Sequence, residues 1–276
     1  MIAAPLVLKF GGELVEDPSR LEPIIAAIAT IAAHGPPLVI VHGGGREIDA
    51  ALDRSGLEKR QIEGLRITDE PTLDVVVSVL AGTVNTRFVA ALTAAGVAAV
   101  GLTGADGSCG LVEPAPPHRT IDGRFVDLGR VGLPCDRAEV RLLRTLLADR
   151  FVPVVASIGV GSDGKLFNVN ADTFASHLAA RLGARRLVIA GTTPGVLDEA
   201  GATIGALDSG AIARLVTSGT ATAGMIAKLR AAERALAGGV EDVVIVDGGD
   251  HVALQGAATG AVPASATRLA AAAHMK

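Results

Sequence analysis

Six short apolar runs, at residues 6–10, 38–42, 97–102, 152–156, 187–190 and 243–246, constrain this chain more than any other feature. A strand with one wet face alternates apolar and polar residues, so runs this uniform belong to strands covered on both faces. Between them, apolar residues recur at helical spacing over 20–34, 46–55, 72–95, 137–149, 171–182, 211–218 and 225–237, with a break expected near Gly82. Strand–helix–strand repetition predicts an α/β protein, a three-layer αβα sandwich around an open, mainly parallel sheet. Two stretches interrupt the rhythm. Residues 105–131 are rich in glycine and proline, and 158–168 read as a hairpin turning at Asp163-Gly164. Both are expected at the sheet edge, framing a pocket.

Ligands of such sheets bind beyond the carboxyl ends of the strands. The first two runs end there on Lys9-Phe10-Gly11-Gly12 and His42-Gly43-Gly44-Gly45. Three consecutive glycines cost backbone entropy, and a plain turn needs only one or two. Close approach of a ligand to bare main chain explains them better. Glycine N–H groups backed by a helix N-terminus suit phosphate oxygens, and a lysine suits a phosphoryl group as a point charge. Neither G-x-G-x-x-G nor G-x-x-x-x-G-K-[ST] occurs at these loops, so the dinucleotide and P-loop folds are not indicated. His42 reads as a packed strand-end residue rather than a base.

Further along, Asn168-Val169-Asn170-Ala171-Asp172 joins the hairpin to a helix. Asn170 fits an N-cap, and Asp172 is placed to hold ammonium groups. Lys228, in a segment otherwise served by arginine, is a candidate partner; a solvated helical lysine is the plainer alternative. Arg66, set between apolar neighbours, suits capture of a carboxylate, or else a surface ion pair with Asp69 or Glu70.

Composition removes other classes. Among 276 residues there is no Trp or Tyr, and the net charge is −4, which disfavours nucleic-acid platforms and anionic membranes as partners. Cys109 and Cys135 form no CxxC, so neither a disulfide framework nor a zinc site is expected, and a reducing cytoplasm fits. The N-terminus reaches Lys9 too early for a signal peptide, and no uninterrupted apolar run approaches the ~18 residues of a membrane span.

In order, these clusters resemble the amino acid kinase family. The matching pieces are 8–12, 41–45, 64–68, 127–132, 158–161, 168–172, 194–198 and 224–228. The resemblance implies an eight-stranded sheet and phosphoryl transfer from ATP, with Mg²⁺, to the side-chain carboxylate of N-acetyl-L-glutamate, a step toward arginine. A related N-acyl amino acid of the aminoadipate type, or a catalytically weakened binding homologue, is the alternative. By the same resemblance Lys9 and Lys228 stabilise the phosphoryl group in flight and Asp172 orients both. Gly11, Gly12 and Gly44 donate N–H groups to phosphate. Arg66 and Asn168 hold the two ends of the acceptor, beside Gly44 and Gly45. The nucleotide is expected against Thr192, Thr193, Pro194, Gly195, Val196 and Leu197, and against Thr220, Ala221 and Thr222. Thr192 stands where the family more often has Asp. The resemblance further implies lobes at 1–180 for the acceptor and 181–276 for ATP on one continuous sheet. It also implies an arginine-insensitive homodimer built through the helix at 72–95.

Overall fold

The computed structural model describes residues 3–120, 122–218 and 222–270. Every apolar run becomes a strand. β1 (Leu6–Phe10), β2 (Leu38–His42), β3 (Ala99–Thr103) and β4 (Val152–Ala156) make one half of the main sheet. β5 (Arg186–Gly191), β6 (Ala206–Leu207), β7 (Asp242–Asp247) and β8 (Thr267–Ala270) make the other. The spatial order is β6–β8–β7–β5–β1–β2–β4–β3. Strands β1 to β5 and β7 are parallel, whereas β8 runs antiparallel to β7 and carries β6 with it.

Nine helices are described: α1 (Gly12–Val15), α2 (Pro18–His34), α3 (Gly45–Arg54), α4 (Glu70–Ala94), α5 (Arg141–Ala148), α6 (Ala171–Leu182), α7 (Ser209–Ser218), α8 (Ala223–Ala237) and α9 (His251–Thr259). Alternation along the strands sorts the core into two layers. Leu6, Leu8 and Phe10 pack with α2, α4 and α9, and Val7, Val39, Val41 and Ile189 pack with α5, α6 and α8. Lys9 shares the second face, a charged residue in an apolar row. The chain leaves β1 toward β2 on one side, and β5 flanks β1 on the other. The loops after these strands therefore diverge around a crevice, the position where such sheets bind ligands.

One expectation is corrected. Helix α4 is not broken at Gly82: residues Ser78–Val84 widen into π-turns and the helix continues. One extra residue per turn shifts the register, and Asn85 enters the core behind it. The same helix is long and apolar enough, by length and composition, to cross a membrane, with a mean hydropathy of 1.7 over its most apolar stretch. Only 39% of that stretch is buried, by Val76, Leu80, Val84 and their neighbours. Averaged hydropathy passes over Asp74 and Arg87, which interrupt the apolar run.

The last sheet elements, α9 and β8, were not anticipated. Asp250 caps α9 by accepting from Val252 and Ala253, and Gly260 ends it at φ 112°. Strand β8, Thr-Arg-Leu-Ala, has no apolar run. Its ladder to β7 is joined by charge: Arg268 reaches Asp242 of β7 at 2.9 Å, a carboxylate that Arg186 of β5 also meets at 2.5 Å. Burial pushes the Asp242 carboxyl up, and the two guanidiniums more than offset it, holding the group below the usual range.

Candidate active site

Lys9 and Asp172 meet at the C-terminal end of β1. The ammonium lies 2.8 Å from Asp172 Oδ1, with both side chains more than nine-tenths buried. Asn170 caps α6 by accepting from the Thr173 N–H, which sets Asp172 in the first turn, facing β1. Asp172 Oδ1 accepts no regular hydrogen bond, so its contact with Lys9 is a pairing of charges. Lys228 comes from α8 on the same layer. Its Cε would stand 3.4 Å from a Cβ built on Gly191, at the end of β5 beside β1. Burial lowers the Lys228 pKa and Lys9 pushes it the same way, while Asp172 and Glu13 draw it back up. Lys9 thus pairs directly with Asp172, and Lys228, from a distant segment, lies within the field of the same carboxylate.

The two glycine turns form the floor. A Cβ on Gly12 would lie 2.7 Å from both Gly44 Cα and Gly45 N, so the loops touch main chain to main chain. A Cβ on Gly44 would strike Leu80 of the π-turn at 2.7 Å. At Gly45, in contrast, nothing of the protein lies within 4 Å of that point, so its bareness serves the open space beside it. Among the described residues, the N–H groups of Gly12, Gly44 and Gly45 have no partner. Gly11 differs from expectation: its N–H extends the β1 ladder to the Ala190 carbonyl at 3.2 Å and is committed there.

Lys9, Gly11, Gly12, Gly44, Gly45, Arg66, Asn168 and Lys228 all line one cleft of about 260 Å³. Arg66 enters on the hairpin Gln61–Ile62/Leu65–Arg66. It pairs with neither residue expected of a surface ion pair: Asp69 takes Arg60 and Glu70 takes Arg130. Its Nη2 reaches Asp49 at 2.5 Å, whereas its buried Nη1 has no partner. A guanidinium nine-tenths buried with a free fork nitrogen suits an incoming carboxylate. Asn168 Nδ2 donates to Thr68 Oγ1 at 3.1 Å, which steadies the hairpin end against the Arg66 segment.

Sequence reasoning passed over four residues here. Asp49 orients Arg66, and Lys59 with Arg66 keeps it ionised against the opposing effect of burial. Glu16 caps α3 from outside, accepting from the Glu47 N–H at 3.2 Å, and burial raises its pKa. Glu13 lines the cleft and its carboxylate lies over Gly11. Asn85 donates to His42 and to the Val154 carbonyl, at 3.0 and 2.9 Å. A lone Asn in the apolar stretch of α4 was the one readable signal.

His42 is packed at its strand end, as expected, and burial lowers its pKa to about 4. The unfolded chain takes up this proton below about pH 6.5, and the native state resists it until about pH 4. Stability is therefore fully present above pH 6.5 and lost as pH falls toward 4, by up to about 3 kcal/mol. Urea unfolding across that window should show the loss, and a His42→Phe variant should flatten it. An unchanged slope in the variant refutes the assignment.

The expected nucleotide residues divide. Thr192 and Thr193 are exposed after β5. Gly195 and Val196 are tucked against β8, the Val196 N–H donating to Thr267 Oγ1 at 2.8 Å. Leu197 lines a separate cavity of about 370 Å³ with Ile204, Leu207 and Leu215. Pro194 is half-buried between these groups. Thr222 caps α8, the helix of Lys228, accepting from Met225 N–H at 3.3 Å. Thr220 and Ala221 lie outside the described residues.

Comparison with known proteins shows the family and the fold. The profile described as "Amino acid kinase family" matches residues 4–247. The acetylglutamate kinase of Methylobacterium nodulans is 42% identical over 249 residues, 88% of this chain and 81% of that protein. The acetylglutamate kinase of Methanopyrus kandleri is 41% identical over 244 residues, covering 87% and 94%. Among solved structures, N-acetylglutamate synthase from Neisseria gonorrhoeae, complexed with coenzyme A and N-acetyl-glutamate, superposes with TM-score 0.80 at 26% identity. That match covers 98% of this chain and 60% of the other. Isopentenyl phosphate kinase, at 20% identity and TM-score 0.64, shares the fold.

Proposed function

The chain belongs to the amino acid kinase family, and from that premise we propose that it transfers the γ-phosphoryl group of ATP to the side-chain carboxylate of N-acetyl-L-glutamate. The acceptor oxygen is ionised at neutral pH, so no general base is needed. It attacks the γ-phosphorus as the bond to the β,γ-bridging oxygen breaks; an acyl phosphate forms and ADP leaves with the electron pair. What opposes the reaction is charge, on two approaching anions and on the equatorial oxygens of the transition state. Lys9, Lys228 and the free N–H groups of Gly12 and Gly44 offset it, and Asp172 keeps the two ammonium groups from separating. Arg66 and Asn168 hold the acceptor beside Gly45.

One observation carries the reading: a buried lysine paired with an aspartate, and a second, half-buried lysine within the field of that aspartate, line the same bare-glycine cleft as a guanidinium with an unpaired nitrogen. Among the described residues no three His, Cys, Asp or Glu side chains gather as a metal site. In the family reading Mg²⁺ would enter with ATP on the nucleotide's phosphates, where it would screen their charge. In this reading the nucleotide would lie against the exposed Thr192 and Thr193 after β5 and the start of α8. An ADP-release assay with N-acetylglutamate, glutamate, N-acetylaminoadipate and carbamate tests the proposal, and silence with N-acetylglutamate refutes it.

Arg66→Ala should raise the KM for N-acetylglutamate by about 10- to 100-fold, the 1.5–3 kcal/mol of a charged hydrogen bond, with kcat changed far less. Initial-rate kinetics in both substrates check this. An equal loss in kcat would move Arg66 from binding to chemistry.

The half-covered apolar face of α4, next to the half-exposed edge strand β3, supports a homodimer joined through this helix. Sedimentation velocity returning the mass of one chain refutes it.

A further inference from the structure

The glycine turn after β2 has no side chains of its own, so another group must fix the direction of its N–H groups. We propose that His42 is a positioning residue which, held by Asn85, turns the Gly43–Gly44 peptide so that the Gly44 N–H faces the cleft. The inference rests on the kinase reading above, in which that N–H meets an anionic oxygen.

His42 is fully buried, and its Nδ1 lies 3.1 Å from the Gly43 carbonyl oxygen. Its Nε2 lies 3.0 Å from Asn85 Nδ2, which also reaches the Val154 carbonyl at 2.9 Å. An amide nitrogen offers only protons, so Nε2 accepts. In the neutral ring the proton then sits on Nδ1, and Nδ1–H donates to Gly43. Burial, which keeps this ring neutral, agrees with that tautomer. The peptide is planar and trans, so its C=O and N–H point in opposite directions. With the Gly43 oxygen drawn back toward the ring, the Gly44 N–H is turned away from it, toward the cleft that Gly44 lines. That N–H has no partner among the described residues.

The anchor has its own support. Asn85 directly follows the π-turns of α4, and its Oδ1 fills the space where a side chain on Gly101 would stand. Phe88 packs edge-on against the His42 ring at 6.2 Å. Without the histidine, two adjacent glycines are free to flip the peptide between them, and the carbonyl would then face the incoming anion.

Three substitutions test the idea. The side-chain nitrogen of Asn reaches the place of the histidine Nδ1, whereas that of Gln reaches the place of Nε2. His42→Gln and His42→Phe should lower kcat/KM for N-acetylglutamate about 10- to 100-fold, with the KM for ATP little changed. His42→Asn should recover most of the loss. Equal losses in the Asn and Gln variants, or none in Phe, overturn the proposal in favour of simple packing. The wild-type enzyme provides a check that needs no variant: ¹⁵N-histidine NMR should report His42 as the Nδ1–H tautomer, and an Nε2–H tautomer overturns it. If the wild type releases no ADP with N-acetylglutamate, the kinase reading fails; an active wild type with indifferent variants strikes this inference alone.

Discussion

Lys228→Ala is expected to lower kcat by about 10²–10³-fold, the effect of removing one preorganised donor from a developing anion. The KM values should move little, because the lysine acts where charge gathers during transfer rather than where the acceptor rests. Lys9→Ala should lose turnover to a similar extent and add a second defect. It leaves the Asp172 carboxylate, only 9% exposed, without its 2.8 Å partner. Breaking a buried pair from one side costs about 3–5 kcal/mol, reduced here by the field of Lys228. The two variants should therefore match in kcat and differ in urea midpoint. Near-wild-type turnover in Lys228→Ala would remove the phosphoryl-transfer role. A Lys9→Ala protein as stable as wild type would show that the pair contributes nothing to the fold.

The second large effect separates two glycines that look alike in sequence. Gly45→Val should fold normally, since no protein atom lies within 4 Å of the new Cβ and the position opens α3 without a positive φ. The added carbons enter the acceptor's space instead. Overpacking of about 1–3 kcal/mol corresponds to roughly a 5- to 150-fold rise in KM for N-acetylglutamate. Gly12→Ala should behave in the opposite way. Its Cβ would fall 2.7 Å from two main-chain atoms of the other turn, neither of which can rotate aside. The loops must part, lowering the thermal midpoint and kcat together. Calorimetry and kinetics on both proteins decide the matter. If Gly45→Val melts early or Gly12→Ala is silent, the turns are packed differently from this description.

Much of the site was legible because its residues carry chemistry by type. Lys9 was recognisable as a charge closing an apolar strand, Asp172 as a carboxylate at a helix start, Lys228 as a lysine in a segment otherwise served by arginine, and the glycine triplet as an unnecessary entropic cost. Arg66 was readable as a carboxylate fork, but its partner was not. Asp49 lies 17 positions away, and only the fold of the 61–66 hairpin brings it within 2.5 Å. The Gly11 N–H was expected at phosphate and is spent on Ala190, because the ladder between β1 and β5 runs one residue past the strand. The nucleotide loop was read as one surface, yet Gly195 and Val196 turn inward to β8.

Alone, the sequence determined six of the eight strands of the main sheet, their covered faces and the chemical character of their loops. Those follow from local alternation, apolar runs and residue type, which act within a few positions of the chain. The tertiary structure alone decided that α4 continues through π-turns, that β8 is reversed under two arginines, and which glycine N–H groups are free. Each of these depends on burial and on partners brought together from far along the chain. Desolvation and charge pairing are strong only where such partners are in place, and no local pattern records them.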